Sequence, residues 1–227
     1  MMKFYTAVGQ YRVVSDKYGR RYPVVLKERK EFCLGIEEMI LWASCLWRIH
    51  TYDELEKLFY HKESEAHVWG DADFEAYLSR LENRGLIVSG HGITGEEALY
   101  DLLTKLHVVP LKTSFFCRAA AFIRLCTIRK MPLSIAKKIF CRPPMTELEK
   151  RILKLSEQYR LSTSELIVCF DNGVNTIASE QQLIQALYGS RSPAEVDLKA
   201  QAYSSDNRLI VITAIANLYL KQAIVLQ

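Results

Sequence analysis

Basic side chains near the middle of the chain are the residues best suited to do chemistry, because Lys and Arg bind phosphate and carboxylate oxygens. Residues 111–160 hold 12 Lys and Arg against three acids, a net charge of +9. Residues 1–110 hold 14 bases against 17 acids, and residues 161–227 hold 4 against 6. The positive excess therefore lies in the middle of the chain, where it is either a nucleic-acid footprint or the solvated side of a helical connector.

Motifs for enzymatic and metal chemistry are missing from the sequence. It contains no P-loop, GxGxxG, GxSxG or HExxH. Carboxylate pairs such as Glu37-Glu38 and Glu96-Glu97 begin predicted helices, where the helix dipole already accounts for acids. The five histidines are scattered, and the six cysteines form no CxxC pair. The sequence therefore predicts a protein that is not an enzyme, with no cofactor, no metal site and reduced, mostly buried thiols.

Membrane and export signals are also missing from the sequence. The apolar runs FFCRAAAFIRLCTI and LIVITAIANLYL are too short, or too interrupted by polar residues, to span a bilayer. The N-terminus lacks the apolar core of a signal peptide. We expect a cytoplasmic protein with no membrane partner.

The elements that must position the basic residues begin with a predicted β-hairpin. FYTAVGQYRVVSD and PVVLKE are β-rich runs on either side of KYGRRY, and EFCLG adds a third short strand. Helical spacing then begins after Gly35 and continues through IEEMILWASCLW.

Two capping boxes and a glycine mark the next helices. Thr51 with Glu54 opens a second helix, and Thr94 with Glu97 opens another. Between them a third helix ends at Gly85, followed by a strand over residues 86–88 and the turn SGHG.

The run FEAYLSRLENRGLIV followed by ITGEEALYDLL resembles the third helix, wing strand and post-wing helix of MarR-type winged helix-turn-helix proteins. The resemblance lies in residues 71–107. It implies a DNA-reading third helix that presents Arg80, Asn83 and Arg84 to base edges. The SGHG turn departs from the family pattern, because it is short and carries no Lys or Arg at its tip.

The basic central segment is predicted to be helical and divided by Pro132 and by Pro143-Pro144. Its third piece begins at a capping box of Thr146 and Glu149. The bases predicted to grip phosphates are Arg118, Arg124, Arg129, Lys130, Lys137, Lys138, Arg142, Lys150, Arg151 and Lys154.

An internal repeat is predicted beyond residue 160. At an offset of 128, SELIVCFDNGVNTIASEQQLIQALY aligns with EEMILWASCLWRIHTYDELEKLFY, which places Thr51 on Ser179. LIVITAIANLYLKQAIVLQ echoes FEAYLSRLENRGLIVSG, with Arg84 on Lys221. We interpret residues 162–227 as a degenerate second winged helix, and a chance similarity of two helical hairpins is the alternative.

These patterns predict a mainly α protein with a small β component, in the α+β class. The predicted divisions are a β-hairpin with a winged helix over residues 1–110, a basic helical connector over 111–160 and a second winged-helix-like domain over 161–227. We expect a transcription regulator that binds double-stranded DNA. The alternative is a winged-helix or PqqD-like adaptor that binds a protein or peptide without DNA, and a homodimer stays open.

Overall fold

The computed structural model describes residues 1–68, 73–111, 132, 143–192 and 196–227. Over these residues the protein combines helices with three small sheets, and the α+β class is confirmed. The helices are α1 (Ile36–Cys45), α2 (Tyr52–Ala66), α3 (Phe74–Asn83), α4 (Gly95–Thr104), α5 (Glu147–Gln158), α6 (Thr163–Asp171), α7 (Glu180–Tyr188), α8 (Leu198–Tyr203) and α9 (Arg208–Leu220). The strands are β1 (Met2–Ala7), β2 (Gln10–Ser15), β3 (Arg21–Lys27), β4 (Lys30–Phe32), β5 (His50–Thr51), β6 (Ile87–Gly92), β7 (His107–Pro110), β8 (Leu161–Ser162) and β9 (Ile224–Leu226).

The predicted capping boxes begin three of these helices. The Thr51 hydroxyl accepts a hydrogen bond from the Glu54 N–H, and the Glu54 carboxylate accepts one from the Thr51 N–H at 2.9 Å. The same reciprocal pair opens α4 at Thr94 and α5 at Thr146. All three predictions are confirmed, because a cap satisfies orphan N–H groups through residues only three positions apart.

The predicted N-terminal hairpin divides at Gly9 into strands of two different sheets. β1 lies between β5 and β6, antiparallel to both, whereas β2 pairs with β3, and β3 with β4. Gly9 has a φ of +99°, and a Cβ there would lie 2.9 Å from the Leu26 carbonyl oxygen. Only glycine fits this crossing, so the first β-rich run forms two strands and not one. The predicted hairpin around KYGRRY is confirmed by the pairing of β2 with β3.

The predicted SGHG turn is strand, and β6 continues through it. Gly90 pairs with Phe4 and Gly92 pairs with Met2 in the register with β1. A Cβ at Gly90 would collide with the backbone of Ala98 and Leu102 in α4. The glycines are therefore present for close helix–sheet packing and not for a turn.

The third sheet repeats the strand order of the first. β7 lies between β8 and β9, as β1 lies between β5 and β6, and in both sheets the central strand comes first in the chain. The registers also match. Tyr5 pairs with His50 and Ala7 with Ile87 in the first sheet, and Val108 pairs with Leu161 and Pro110 with Ile224 in the third.

This register revises the sequence alignment of the two repeats. Ser162 is the residue that ends β8 and caps α6, so it is the counterpart of Thr51 at an offset of 111. The prediction that Ser179 matches Thr51 is wrong, although Ser179 does cap α7. The other half of the alignment agrees with the structure, because Arg84 and Lys221 both follow the last residue of the helix that precedes the final strand.

The C-terminal core draws on residues that the sequence-based division places elsewhere. Val108 of β7 and Ile152 and Leu155 of α5 are fully buried in one cluster with Leu166 and Val211. Boundaries at residues 110 and 160 therefore separate a strand and a helix from the sheet and helices they pack against.

Tyr219 of α9 joins the two repeats. Its buried hydroxyl accepts hydrogen bonds from the Trp47 N–H at 2.9 Å and from the Thr6 hydroxyl at 3.0 Å. The Trp47 indole N–H in turn donates to the Ile224 carbonyl at 3.2 Å. Burial raises the pKa of Tyr219, so the hydroxyl stays protonated. The repeats are thus joined by buried, satisfied polar groups as well as by apolar packing.

Candidate nucleic-acid interface

Helix α3 presents two of its three predicted reading residues to solvent. Arg80 and Asn83 are exposed and three positions apart, so they share one face near the C-terminal end of the helix. The Arg80 guanidinium lies 5.0 Å from the centre of the Tyr77 ring, which orients it without neutralising it. Both side chains are available to a ligand that approaches this end of α3.

The third predicted reading residue, Arg84, is bound within the protein. Its Nη1 lies 3.0 Å from the Glu38 carboxylate, and its Nη2 donates to the Cys33 carbonyl at 2.9 Å. The guanidinium also lies 5.6 Å from the centre of the Phe32 ring. Arg84 therefore ties α3 to α1 and to the segment after β4.

The surroundings of Arg80 are acidic. Asp73 and Glu75 are exposed at the start of α3. Glu82 contacts Lys3 at 3.7 Å and accepts a hydrogen bond from Ser89 at 2.7 Å. The exposed face of α3 is therefore not positive enough to hold phosphates by itself.

Three of the bases predicted to grip phosphates are described residues of α5, and two of them are engaged. Lys150 lies 2.7 Å from the Glu147 carboxylate. Arg151 donates two hydrogen bonds to the Val174 carbonyl and stacks 4.1 Å from the centre of the Phe170 ring. Lys154 is exposed and has no ion pair with a described residue. An open groove of about 520 Å³ runs beside them and is lined by Glu147, Leu148, Lys150, Arg151, Lys154 and Asn175.

The other predicted bases of the central segment lie outside the described residues. They are Arg118, Arg124, Arg129, Lys130, Lys137, Lys138 and Arg142.

The ion pair of Arg84 has a counterpart in the second repeat that sequence reasoning missed. Lys221 Nζ lies 2.7 Å from both oxygens of the buried Glu149 carboxylate. Glu38 and Glu149 hold the same position in the first turn of α1 and α5, and each also accepts a hydrogen bond from the N–H three residues before it. The signal in the sequence is an acid at the third position of one helix, together with a base directly after a later helix. The helices are α1 and α3 in the first repeat, and α5 and α9 in the second.

A second group of exposed bases lies on the β2–β3 hairpin, which the sequence-based set does not include. Arg12, Lys17, Arg20 and Arg21 are exposed, and none of them has an ion pair with a described residue. The one acid of the hairpin, Asp16, accepts hydrogen bonds from the N–H groups of two residues in the turn. The signal for this group is the run KYGRRY, and the acidic balance of residues 1–110 hides it.

Helix α9 is the counterpart of α3, and its outer face is uncharged. Ile210 is 59% exposed and Leu220 is 53% exposed, with exposed Thr213 and Asn217 between them. The spacing of three, four and three residues puts all four on one stripe. The stripe offers packing surface and no base for phosphate.

Metal binding, and thiolate chemistry at the buried cysteines, find no support in the part of the chain that is described. It holds no group of three or more His, Cys, Asp or Glu side chains that could bind a metal ion. Cys45 and Cys169 are buried, and burial raises the pKa of Cys169 to about 11, so this thiol is not a thiolate near neutral pH. Among the same residues, no helix is long and apolar enough to cross a membrane.

Comparisons with protein-family models, with curated proteins and with solved structures found no match to this chain. A functional proposal therefore depends on the residues and geometry of the chain itself.

Proposed function

We propose that the chain is a transcription-regulator-type protein that binds double-stranded DNA through two winged-helix-like modules. Each repeat has a helix, a two-residue strand, a capped helix and a later helix that leads into the final strand of a three-stranded sheet. This is the element order of a winged helix. The central strand of each three-stranded sheet, however, is the first strand of the repeat and not the end of a wing.

The observation that carries the proposal is where the positive charge lies relative to the repeats. In each repeat one segment lies between the central strand and α1 or its counterpart α5. Residues 8–35 hold seven bases and three acids, and residues 111–146 hold eight bases and no acid. The rest of the chain holds 15 bases and 23 acids. The chain is therefore strongly basic at the same topological position of both repeats and acidic elsewhere, as expected for two phosphate-binding segments on a scaffold that otherwise repels DNA.

Base readout is assigned to Arg80 and Asn83 of α3. Arg binds the acceptor edge of guanine and Asn the edge of adenine in the major groove. We expect the variant with Arg80→Ala and Asn83→Ala to lose sequence preference, at a cost of roughly 1–3 kcal/mol for each contact. The measurement is selection from a random duplex pool, followed by fluorescence anisotropy on the selected duplex and on the unselected pool.

Ser79→Ala on the same exposed face is the matched control and should leave the preference unchanged. The binding constant of the wild-type chain should fall steeply between about 50 mM and 200 mM salt. No binding to any duplex at the lower salt concentration, or binding that ignores salt, would contradict the proposed function.

A second candidate function is a protein-interaction module, favoured by the uncharged stripe on α9. Ile210 and Leu220 are half exposed on a stripe without charge, so two copies can meet there without like-charge repulsion. Asn217 would lie at a core position of such a helix pair, where one polar residue sets the register.

We expect the variant with Ile210→Ser and Leu220→Ser to lose a concentration-dependent dimer of the wild-type chain, measured by size-exclusion chromatography with light scattering. Ile93→Ser is the control, because Ile93 is 83% exposed and lies away from α9 in the chain. If the wild-type chain is monomeric at every concentration, this result would contradict the proposal of self-association through this stripe.

A further inference from the structure

We propose that the β2–β3 hairpin is a preorganised arm that binds the phosphate backbone of duplex DNA, through Arg12, Lys17, Arg20 and Arg21. The inference rests on the proposed function and adds a contact surface that lies outside α3 and outside the turn after β6. The arm is expected to contribute affinity for any duplex and no sequence preference, because phosphate contacts carry no base information.

The tip of the hairpin is held in one conformation by its own backbone. The Asp16 carboxylate accepts hydrogen bonds from the N–H groups of Tyr18 and Arg20, both at 2.8 Å. The Asp16 N–H donates to the Arg20 carbonyl at 2.9 Å, and Gly19 adopts a φ of +78° in the turn. Lys17 and Arg20 therefore project from a structured turn, which lowers the entropic cost of binding.

The charge on the arm is available to a ligand. None of the four bases has an ion pair with a described residue, and the Asp16 carboxylate is occupied by the backbone. Lys17 and Arg20 lie 5.1 and 5.7 Å from the centre of the Tyr18 ring, which is 71% exposed. The aromatic ring holds two cations near each other at the tip without neutralising either of them.

The shape of the arm suits a groove of duplex DNA. Both faces of β2 are largely exposed, so the outer part of the β2–β3 hairpin projects away from the cores as a two-stranded ribbon. A ribbon of this kind is narrow enough to enter the major groove. Arg12 on β2 and Arg21 on β3 give bases on both of its strands, which fits a ligand with phosphates on two sides.

The root of the arm lies beside the end of α3 that carries Arg80 and Asn83. Lys27 Nζ of β3 donates to the Gly85 carbonyl at 3.0 Å, just after α3. Phe32 of β4 packs under the Arg84 guanidinium. One duplex can therefore contact α3 and the arm together, and this position favours DNA over a membrane surface as the ligand.

The experiment compares two variants with the same change of net charge on a random-sequence duplex. The arm variant carries Lys17→Gln, Arg20→Gln and Arg21→Gln. The control variant carries Lys57→Gln, Arg191→Gln and Lys199→Gln, at exposed bases elsewhere that have no ion pair with a described residue. Fluorescence anisotropy is measured across a salt series, and circular dichroism verifies that both variants are folded.

We expect the arm variant to bind about tenfold or more weakly near 100 mM salt. Its slope of log K against log salt should be shallower by about 2.7, since each lost phosphate contact removes about 0.9. The control variant should keep the wild-type slope.

Equal losses in both variants would mean that only the net charge matters, and this result overturns the inference. A wild-type chain that binds duplex with the same slope as the arm variant also overturns it, but leaves the proposed function standing. A wild-type chain that binds no duplex overturns both. If that chain binds vesicles containing phosphatidylserine and the arm variant does not, the arm belongs to a membrane-surface contact instead.

Discussion

Replacing Lys221 with Met is expected to lower the free energy of unfolding by about 3 kcal/mol or more, because the change leaves a buried carboxylate without its cation. Glu149 is 1% exposed, and both of its oxygens lie 2.7 Å from Lys221 Nζ. Met retains most of the length and apolar stem of Lys, so the lost charge dominates the effect. Urea denaturation followed by circular dichroism measures the change.

The double variant with Lys221→Met and Glu149→Gln separates the lost pair from lost packing. It removes both charges, and we expect it to recover much of the stability, since an uncharged pair leaves no ion in the core. Arg84→Met in the first repeat should cost only about 1 kcal/mol, because the pair of Arg84 with Glu38 is partly exposed to water. Equal losses in the single and double variants would show that the unpaired Glu149 carboxylate is not what destabilises the fold.

Local signals in the sequence predicted the starts of the helices. Thr51, Thr94 and Thr146 each cap a helix with an acid three residues later, as expected from the sequence. A cap depends on four consecutive residues, so its physics is fully contained in a short stretch of sequence.

The partners of the strands were not predictable in the same way. β1 pairs with β5 and β6, which are more than forty and eighty residues away, and no short pattern specifies such a pairing. The repeat was aligned incorrectly for a related reason. The apolar run of α6 resembles that of α1, whereas the counterpart of α1 is the polar-faced α5, whose Glu149 pairs with Lys221 as Glu38 of α1 pairs with Arg84.

The candidate site shows the same division between local and distant information. Helical spacing predicts that Arg84 lies near Arg80. It does not predict that the Glu38 carboxylate neutralises Arg84, because Glu38 is 46 positions away in the chain. The net charge of residues 1–110 hides the hairpin bases, because acids of the helices cancel them. Such a group is found when the charge is summed over each segment between structural elements, and not over a long stretch of the chain.

Gly90 lies in the run SGHG, which the sequence predicts to be a turn and which is strand in the structure. Its substitution is the second change with a large expected effect on stability. Gly90→Ala is expected to lower the free energy of unfolding by about 3 kcal/mol, because the new methyl group overpacks the contact between β6 and α4. The Cβ would meet the Ala98 carbonyl oxygen and the Leu102 N–H, which are backbone atoms of a helix. Neither atom can move aside without displacing α4, which also packs against the C-terminal core through Leu103.

Gly95→Ala is the matched control for this prediction, with an effect of opposite sign. Gly95 is the first residue of α4, and a Cβ there would make only ordinary contacts, at 3.7 Å from Met2 Sδ and 3.9 Å from the Phe4 ring. Alanine at a helical position restricts the unfolded chain, so we expect a gain of about 0.5 kcal/mol. Thermal and urea denaturation of the two variants measure both values. If Gly90→Ala were as stable as the wild type, the segment from Ser89 to Gly92 would be a turn with room for side chains, as the sequence alone predicts, and β6 would end before it.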